Sequence, residues 1–420
     1  MTKLINSLNF AKQLDKEDSL SNYRNLFHIP KDVHNKDLIY FCGNSLGLQP
    51  KSTKSFIDKE MKDWANLGVK GWSNAKNPWL EYHSYLTNEM ANIVGAKPLE
   101  VVVMNTLTVN LHLMMVSFYK PTDKKFKIIL EADSFPSDIY AVESQLVHHG
   151  YNGDDGIILW ETKNSKNKYH ELENIFLENK NEIALVLIGG VNYYTGEYFN
   201  LKKITEIGHK YNSIVGFDCA HAAGNVQLNL NKVGADFAIW CSYKYLNSGP
   251  GSLSGCFVHE RHAHNNNNIN RFRGWWGNDL NNRFNMREPF QTIAGADGWQ
   301  ISTPTILSMA AIKASLDIFK DVGMEKLCEK STKLTNYLEF LLRNLNSTKI
   351  NIITPTDPAS RGCQISIEIN DANKKFHESL TDLGVITDWR DPNVIRCAPT
   401  PLYNTFEEVY LFVEKLKLLI

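Results

Sequence analysis

No apolar run in the 420-residue sequence reaches membrane-spanning length, and Met1-Thr2-Lys3-Leu4-Ile5-Asn6 lacks the apolar core of a secretory signal. There is no CxxC pair either. The seven cysteines are scattered and odd in number, which argues against a disulfide framework and against a zinc site. Scattered reduced thiols lead to the expectation of a cytoplasmic protein. Excess charge of one sign is missing too: 45 basic side chains face 46 acidic ones. That balance argues against nucleic acid or an anionic membrane as the main partner. Internal repeats are absent, and the one low-complexity stretch, the His/Asn-rich run 262–270, reads as a solvated loop rather than a metal tract. What remains, at 43% hydrophobic, is a chain able to bury at least one large core, and two are expected.

From residue 100 to 260 apolar runs alternate with helix-length polar stretches. The seven runs are 101–104, 127–132, 157–160, 184–188, 214–217, 237–241 and 255–258. Such alternation predicts an α/β domain around a mostly parallel seven-stranded sheet, with ligands beyond the carboxyl ends of its strands. Past Pro304 the pattern changes. Helices over 304–320 and 324–346 lead to strands at 350–353 and 363–369, a helix 371–383, a strand at 394–397 and a helix 405–420. This reads as a smaller α+β domain over 304–420, joined by an N-terminal arm, 1–75, beside a large domain, 76–303. Helices are also expected over 51–67, opened by Pro50, and over 80–94.

Lys244, in Cys241-Ser242-Tyr243-Lys244-Tyr245-Leu246-Asn247, stands where an apolar strand runs out into a glycine-rich loop. Taken alone it reads as a lysine snorkelling from a strand end. An ammonium held in an apolar site is costly, however, and a lysine with a lowered pKa is a nucleophile towards carbonyls. The preceding run ends Gly216-Phe217-Asp218-Cys219-Ala220-His221. An acid at the end of one buried strand and a lysine at the end of the next suit pyridoxal 5′-phosphate: the acid keeps the ring nitrogen protonated and the lysine binds the aldehyde.

The other strand ends carry compatible residues. Thr106-Leu107-Thr108 opens a helix, as an ordinary N-cap or as a phosphate seat. Phe135-Pro136-Ser137-Asp138 sets an aromatic ring and a second acid beside the same cleft. Gly43-Asn44-Ser45-Leu46-Gly47 reads as a plain turn or as amides for a substrate carboxylate. The aromatic loops around Trp72 and Trp275 read as packing or as recognition. Arg396 is a surface cation or a bidentate clamp for a carboxylate at the domain interface.

Tyr40-Phe41-Cys42-Gly43-Asn44-Ser45-Leu46-Gly47-Leu48, Phe135-Pro136-Ser137-Asp138, Gly216-Phe217-Asp218-Cys219-Ala220-His221-Ala222 and Trp240-Cys241-Ser242-Tyr243-Lys244-Tyr245-Leu246-Asn247 closely resemble the kynureninase family. The resemblance runs from about residue 40 to the C-terminus, through Arg361-Gly362-Cys363-Gln364 and Ile395-Arg396-Cys397-Ala398-Pro399. It implies the pyridoxal-phosphate-dependent transferase fold (fold type I) and a homodimer with shared active sites. It also implies hydrolysis of L-kynurenine, or 3-hydroxykynurenine, to the anthranilate and L-alanine.

Carried over residue by residue, it implies that Lys244 holds the cofactor as a Schiff base and later moves the Cα proton. Asp218 pairs with the ring nitrogen, Asp138 and His221 lie close by, and Phe135 stacks on the ring beside Pro136. Leu107, Thr108 and Tyr243 hold the phosphate, with Trp275 and Thr303 from the partner subunit, and Ser137 is a further cofactor-binding residue. Arg396 binds the substrate carboxylate, and Asn44, Ser45, Trp72 and Ser302 line the substrate site. Tyr243 is also the phenol placed to protonate Cβ. Animal relatives have His where Trp72 aligns and Asn at Thr303, so this chain follows the bacterial pattern there, while Ser302 follows the animal one. Gly189 stands where a hydroxyl side chain is expected near the cofactor.

Two competing readings share parts of this pattern. A cysteine desulfurase or aminotransferase would have the same fold, but a desulfurase needs a mobile cysteine and Cys256 and Cys363 fall in predicted strands. A non-catalytic cofactor-binding regulator would have lost the lysine or gained a DNA-binding domain.

Overall fold

Runs of large apolar side chains form strands with every residue buried, as in Val101–Met104 and Phe237–Trp240. A computed structural model of the chain describes residues 3–163, 165, 167–263, 269–285 and 289–420. Residues 264–268 of the His/Asn-rich run lie outside the described residues. In chain order the strands are Ile39–Tyr40 (β1), Val101–Met104 (β2), Lys127–Glu131 (β3), Ile157–Trp160 (β4), Ile183–Gly189 (β5), Ile214–Asp218 (β6), Phe237–Trp240 (β7), Ser254–Val258 (β8), Ile350–Ile352 (β9), Ile365–Ile369 (β10), Val385–Ile386 (β11), Asp388–Arg390 (β12) and Val394–Cys397 (β13).

The large sheet has the order β2-β8-β7-β6-β5-β3-β4. β8 runs antiparallel to both its neighbours, and the remaining pairs are parallel. Six strands therefore point one way and deliver their carboxyl ends to one edge. Side chains alternate across the sheet, as the two-residue repeat of a strand requires. Val101 and Val103 join one core and Val102 and Met104 the other. Helices Leu107–Phe118 and Pro136–His148 cover one face; Ser84–Val94, Leu201–Lys210 and Ile306–Val322 cover the other. The mostly parallel seven-stranded α/β architecture expected from the sequence is present.

A second sheet, β12-β13-β10-β9, is antiparallel, and β1 pairs in parallel with β11. Their core joins Phe10, Ile39 and Phe41 near the start of the chain to Leu338, Ile367, Ile395 and Phe412 near its end.

Local chemistry moves several boundaries. The helix expected from 80 begins at Ser84, because Trp79–Glu81 forms a separate 3₁₀ turn with the buried Trp79 indole donating to Glu60 at 2.9 Å. The Trp72 loop contains a one-turn helix, Gly71–Asn74. The strand expected from 363 starts at Ile365, since the Cys363 N–H is taken by the Asn225 side chain at 2.8 Å. Asn373 caps Lys374–Asp382, and Thr405 with Glu408 forms a capping box on Phe406–Lys417, so both helices start later than expected. β11 and β12 were not anticipated.

Candidate active site

Lys244 sits four residues beyond Trp240, the last residue of β7, in a segment fixed on several sides. Ser242 Oγ bonds the Ser252 hydroxyl at 2.8 Å and the Leu253 carbonyl, and the Leu246 carbonyl accepts from Ser315. The Gly43–Gly47 loop closes over it: the Gly47 N–H donates to the Tyr243 carbonyl at 2.8 Å. A Cβ at residue 47 would lie 2.2 Å from the Lys244 carbonyl oxygen, so this approach requires glycine.

Lys244 Nζ lies 2.9 Å from His221 Nε2 and 5.9 Å from the centre of the Phe135 ring. An ammonium has no lone pair, so Nε2 accepts and the imidazole proton belongs on Nδ1. Burial, reinforced by the charges of Lys244, Arg396 and Arg390, holds His221 well below the usual imidazole range, hence neutral. Its Nδ1 has no hydrogen-bond partner.

Three acids converge here. Asp218 ends β6 and accepts the Ala220 N–H at 2.7 Å. Asp138 lies in the first turn of Pro136–His148, buried, with Oδ1 unpartnered. Burial raises Asp218, with Lys244 opposing; burial and then the charge of Asp218 raise Asp138 further, so Asp138 holds the proton of the pair. Glu131 ends β3, and burial pushes it up to about 7.

Two helix N-termini complete the cavity. Leu107–Phe118 begins at Thr106, whose side chain makes no capping bond, and the Thr108 hydroxyl lies 3.1 Å from the Ser137 hydroxyl on the neighbouring helix. Free amides and aligned dipoles there favour a dianionic phosphate. The cavity, about 170 Å³, is lined by Leu107, Thr108, Glu131, Phe135, Ser137, Asp138, Gly189, Val191, Tyr193, Asp218, Ala220, His221, Tyr243 and Lys244. Pro136, at the first position of its helix, is not among the lining residues.

The remaining candidates lie elsewhere. Asn44 is buried and donates to Gln364 at 3.1 Å, with its Oδ1 unpartnered, and Ser45 is half-buried beside it. Arg396 is 1% exposed. Its Nε and Nη2 both meet Asp388 Oδ1, at 3.0 and 2.8 Å, and Nη1 donates to the Tyr193 carbonyl at 2.7 Å. Trp72 packs against Trp79 and Trp276. Trp275 is 43% exposed, Ser302 is exposed and Thr303 half-buried, and none of the three lines the cavity of this chain.

Glu131, Tyr193 and Asp388 were not singled out from the sequence. Tyr193 links the two ends of the site: its ring stands 5.2 Å from Phe135, 6.5 Å from His221 and 5.8 Å from the Arg396 guanidinium. Glu131 carried a readable signal, an acid closing an apolar strand.

This fold matches solved structures of pyridoxal-phosphate enzymes at low identity. The cysteine desulfurase of Thermococcus onnurineus NA1 aligns with a TM-score of 0.75 at 16% identity, over 91% of this chain and 94% of its own. A C-DES variant with glycine covalently linked to its PLP cofactor aligns with a TM-score of 0.76 at 17% identity, over 90% of this chain and 96% of its own. Residues 327–416 match the family model of the kynureninase C-terminal domain. The kynureninase of Flavobacterium psychrophilum is 51% identical over 98% of both chains. That of Mus musculus is 43% identical over 97% of this chain and 92% of its own. The chain belongs to the kynureninase family.

The site fits pyridoxal 5′-phosphate. It has an amine for the aldehyde, a buried acid for the ring nitrogen and an aromatic face. It also leaves Asp138 Oδ1 and His221 Nδ1 free for a polar guest.

Proposed function

We infer that this chain hydrolyses the Cβ–Cγ bond of L-kynurenine, giving anthranilate and L-alanine, with pyridoxal 5′-phosphate at Lys244. The observation that carries the reading is Lys244 beside neutral His221 and above Asp218 at the carboxyl edge of the sheet. Bound there, the cofactor supplies the electron sink for the substrate's amino group.

The chain's own residues do the rest. Lys244 gives up a proton to link the cofactor and, once released, carries the proton from Cα. His221, neutral, accepts from the Lys244 nitrogen and keeps it oriented. Asp218, ionised, would accept the hydrogen bond of the ring nitrogen's N–H and keep that nitrogen protonated, while its neighbour Asp138 holds its own proton. Phe135 covers one ring face, while Leu107, Thr108 and Ser137 seat the phosphate at the helix N-termini. Burial raises the Tyr243 phenol, so it stays protonated and can deliver that proton to Cβ.

Arg396 commits its Nε–Nη2 edge to Asp388 and one Nη1 hydrogen to Tyr193. Of its five N–H groups two remain, and these would be the ones to meet a substrate carboxylate. The Asn44–Ser45 turn, tied to the lysine segment through the Gly47 N–H, would contribute to the substrate site. On this assignment the cofactor residues fall in 76–303 and the carboxylate clamp in 304–420, while the arm 1–75 packs on both cores, Phe10, Ile39 and Phe41 on the smaller and Leu20, Phe27 and Leu48 on the larger.

The site is completed by a second copy. Phe272, Trp275, Leu280 and Phe284 are 59%, 43%, 52% and 58% exposed within one stretch, an apolar surface that association would cover. A symmetric homodimer would bring Trp275 and Thr303 of the partner subunit to the phosphate, and Trp72 and Ser302 to the substrate. Mixing inactive Lys244→Ala and Trp275→Ala chains tests this. A shared site restores activity on subunit exchange, because one site of each hybrid carries neither lesion; two variants that stay dead after proven exchange refute it.

Cytoplasmic tryptophan catabolism is the setting for this reaction, with 3-hydroxykynurenine leading instead towards NAD biosynthesis. The decisive assay is purified, cofactor-loaded protein with each substrate, read by product fluorescence; cofactor on Lys244 with no product from either substrate refutes the reading. Desulfurase chemistry lacks its thiolate: Cys363 is buried, its thiol pushed up to about 12, and Cys256 is buried within β8.

A further inference from the structure

Glu131 differs from the buried glutamates outside the site. Glu60 holds the Asn77, Trp79 and Tyr82 donors; Glu100 holds Asn231 and the Lys97 and Glu260 N–H groups; Glu408 pairs with Arg24. Glu131, 3% exposed, has no such set. The Gly189 N–H is shared between its two oxygens at 3.1 Å each, and the only other donors to the carboxyl are local: its own N–H and the Ser134 hydroxyl, which also donates to the Glu131 carbonyl at 2.7 Å. A Cβ at residue 189 would come 2.8 Å from Oε1, so the absent side chain at Gly189 is what lets the carboxyl rest there. The acid borders the cofactor cavity, and its neighbours there are Asp218 from β6, Asp138 from the 136–148 helix, Tyr193 beyond β5, and His221, Tyr243 and Lys244.

We propose that Glu131, seated on Gly189, is a positioning residue that sets how firmly the nitrogen joining Lys244 to the cofactor holds its proton. The proposal rests on the cofactor reading above. A carboxylate in a water-poor cavity favours nearby cations, and the protonated link and the ring nitrogen are the cations the cofactor introduces. The coupling is reciprocal: those cations draw the proton off Glu131. In the cofactor-free protein burial keeps that proton on to about pH 7. A glycine at 189 gives this chain a charge where a hydroxyl would give a dipole.

The experiment titrates the visible absorbance of the loaded enzyme against pH. Borohydride fixation and peptide mapping come first, and a wild-type label anywhere but Lys244 refutes the underlying cofactor reading rather than this proposal. Given the label on Lys244, Glu131→Gln should lower the apparent pKa of the link by about one unit, roughly tenfold in proton affinity. Glu131→Asp, which keeps the charge, should lie closer to wild type. Gly189→Ala should displace the same titration when Glu131 is present and not in the Glu131→Gln background. A Glu131→Gln curve superposing on wild type overturns the proposal, as do equal displacements by Gln and Asp. Should Glu131→Gln not fold, an unchanged titration in Gly189→Ala overturns it.

Discussion

Asp218 closes β6 and Asp236 directly precedes the neighbouring β7, and both are buried, 7% and 3% exposed, yet their surroundings are opposite. Asp236 precedes β7 at the amino edge. Its two oxygens take His209 at 2.9 Å, His262 at 2.7 Å, Arg261 at 2.6 Å and the Val215 N–H at 2.8 Å. Those bonds outweigh its burial and hold its carboxyl far below the usual range. Asp218, at the carboxyl edge, faces two further acids and one lysine, and burial raises it. A saturated acid stabilises a fold; an unsatisfied one waits for a ligand.

Substitutions should separate the two edges. The largest effect belongs to Lys244→Arg, which keeps a cation and loses the nucleophile: turnover should fall more than about 1,000-fold with little change in Tm. Substantial residual turnover would place the covalent link elsewhere. Asp218→Asn should cost several kcal/mol of barrier, about 100-fold or more, and weaken cofactor binding. Because the amide removes a carboxylate that burial disfavours and keeps the acceptor for the Ala220 N–H, the cofactor-free protein should melt no lower than wild type. A large drop in Tm would make Asp218 another Asp236.

Asp236→Asn should invert that outcome. Thermal and urea unfolding should show a loss of about 2–4 kcal/mol, moderated by the partial exposure of His209, Arg261 and His262, with kcat nearly unchanged. A comparable loss of kcat at full folding would connect the two edges.

The smallest effect is one of pH. Raised acids bind more protons in the folded chain than in the unfolded one, so cofactor-free stability falls as pH rises. For Glu131 the fall runs from its ordinary 4.5 to about 7. It should amount to on the order of 1–3 kcal/mol and disappear in Glu131→Gln, as followed by Tm. Asp236 has the opposite sign: its contribution is present above the ordinary aspartate value and fades only in strong acid. A cofactor-free Tm that rises across the neutral range would contradict the arrangement of the carboxyl edge.

Much of this was legible in the residues. Unbroken apolar runs marked the seven strands of the large sheet, because a sheet covered on both faces tolerates few polar side chains. Lys244 and Asp218 stood out as polar groups closing such runs. Glu131 closed one too, yet Ala132 after it extended the apparent strand and hid the same signal. Asp388 was invisible: its pairing with Arg396 depends on the register of β12 against β13, and a three-residue strand flanked by Thr387 and Asp391 has no apolar signature. Tyr193 needs the fold for its meaning, since Phe135 and Arg396 meet it from distant parts of the chain.

The pairing of β1 with β11 and the core joining Phe10 to Phe412 have a consequence for synthesis. On a ribosome the first segment made must wait for nearly the last, whereas every strand of the large sheet has emerged once Val258 has. The residues that line the cavity, from Leu107 to Lys244, are therefore made while Arg396 is still untranslated. Ser315, which fixes the lysine segment through the Leu246 carbonyl, follows only afterwards, and Arg396, the proposed clamp for the substrate, later still.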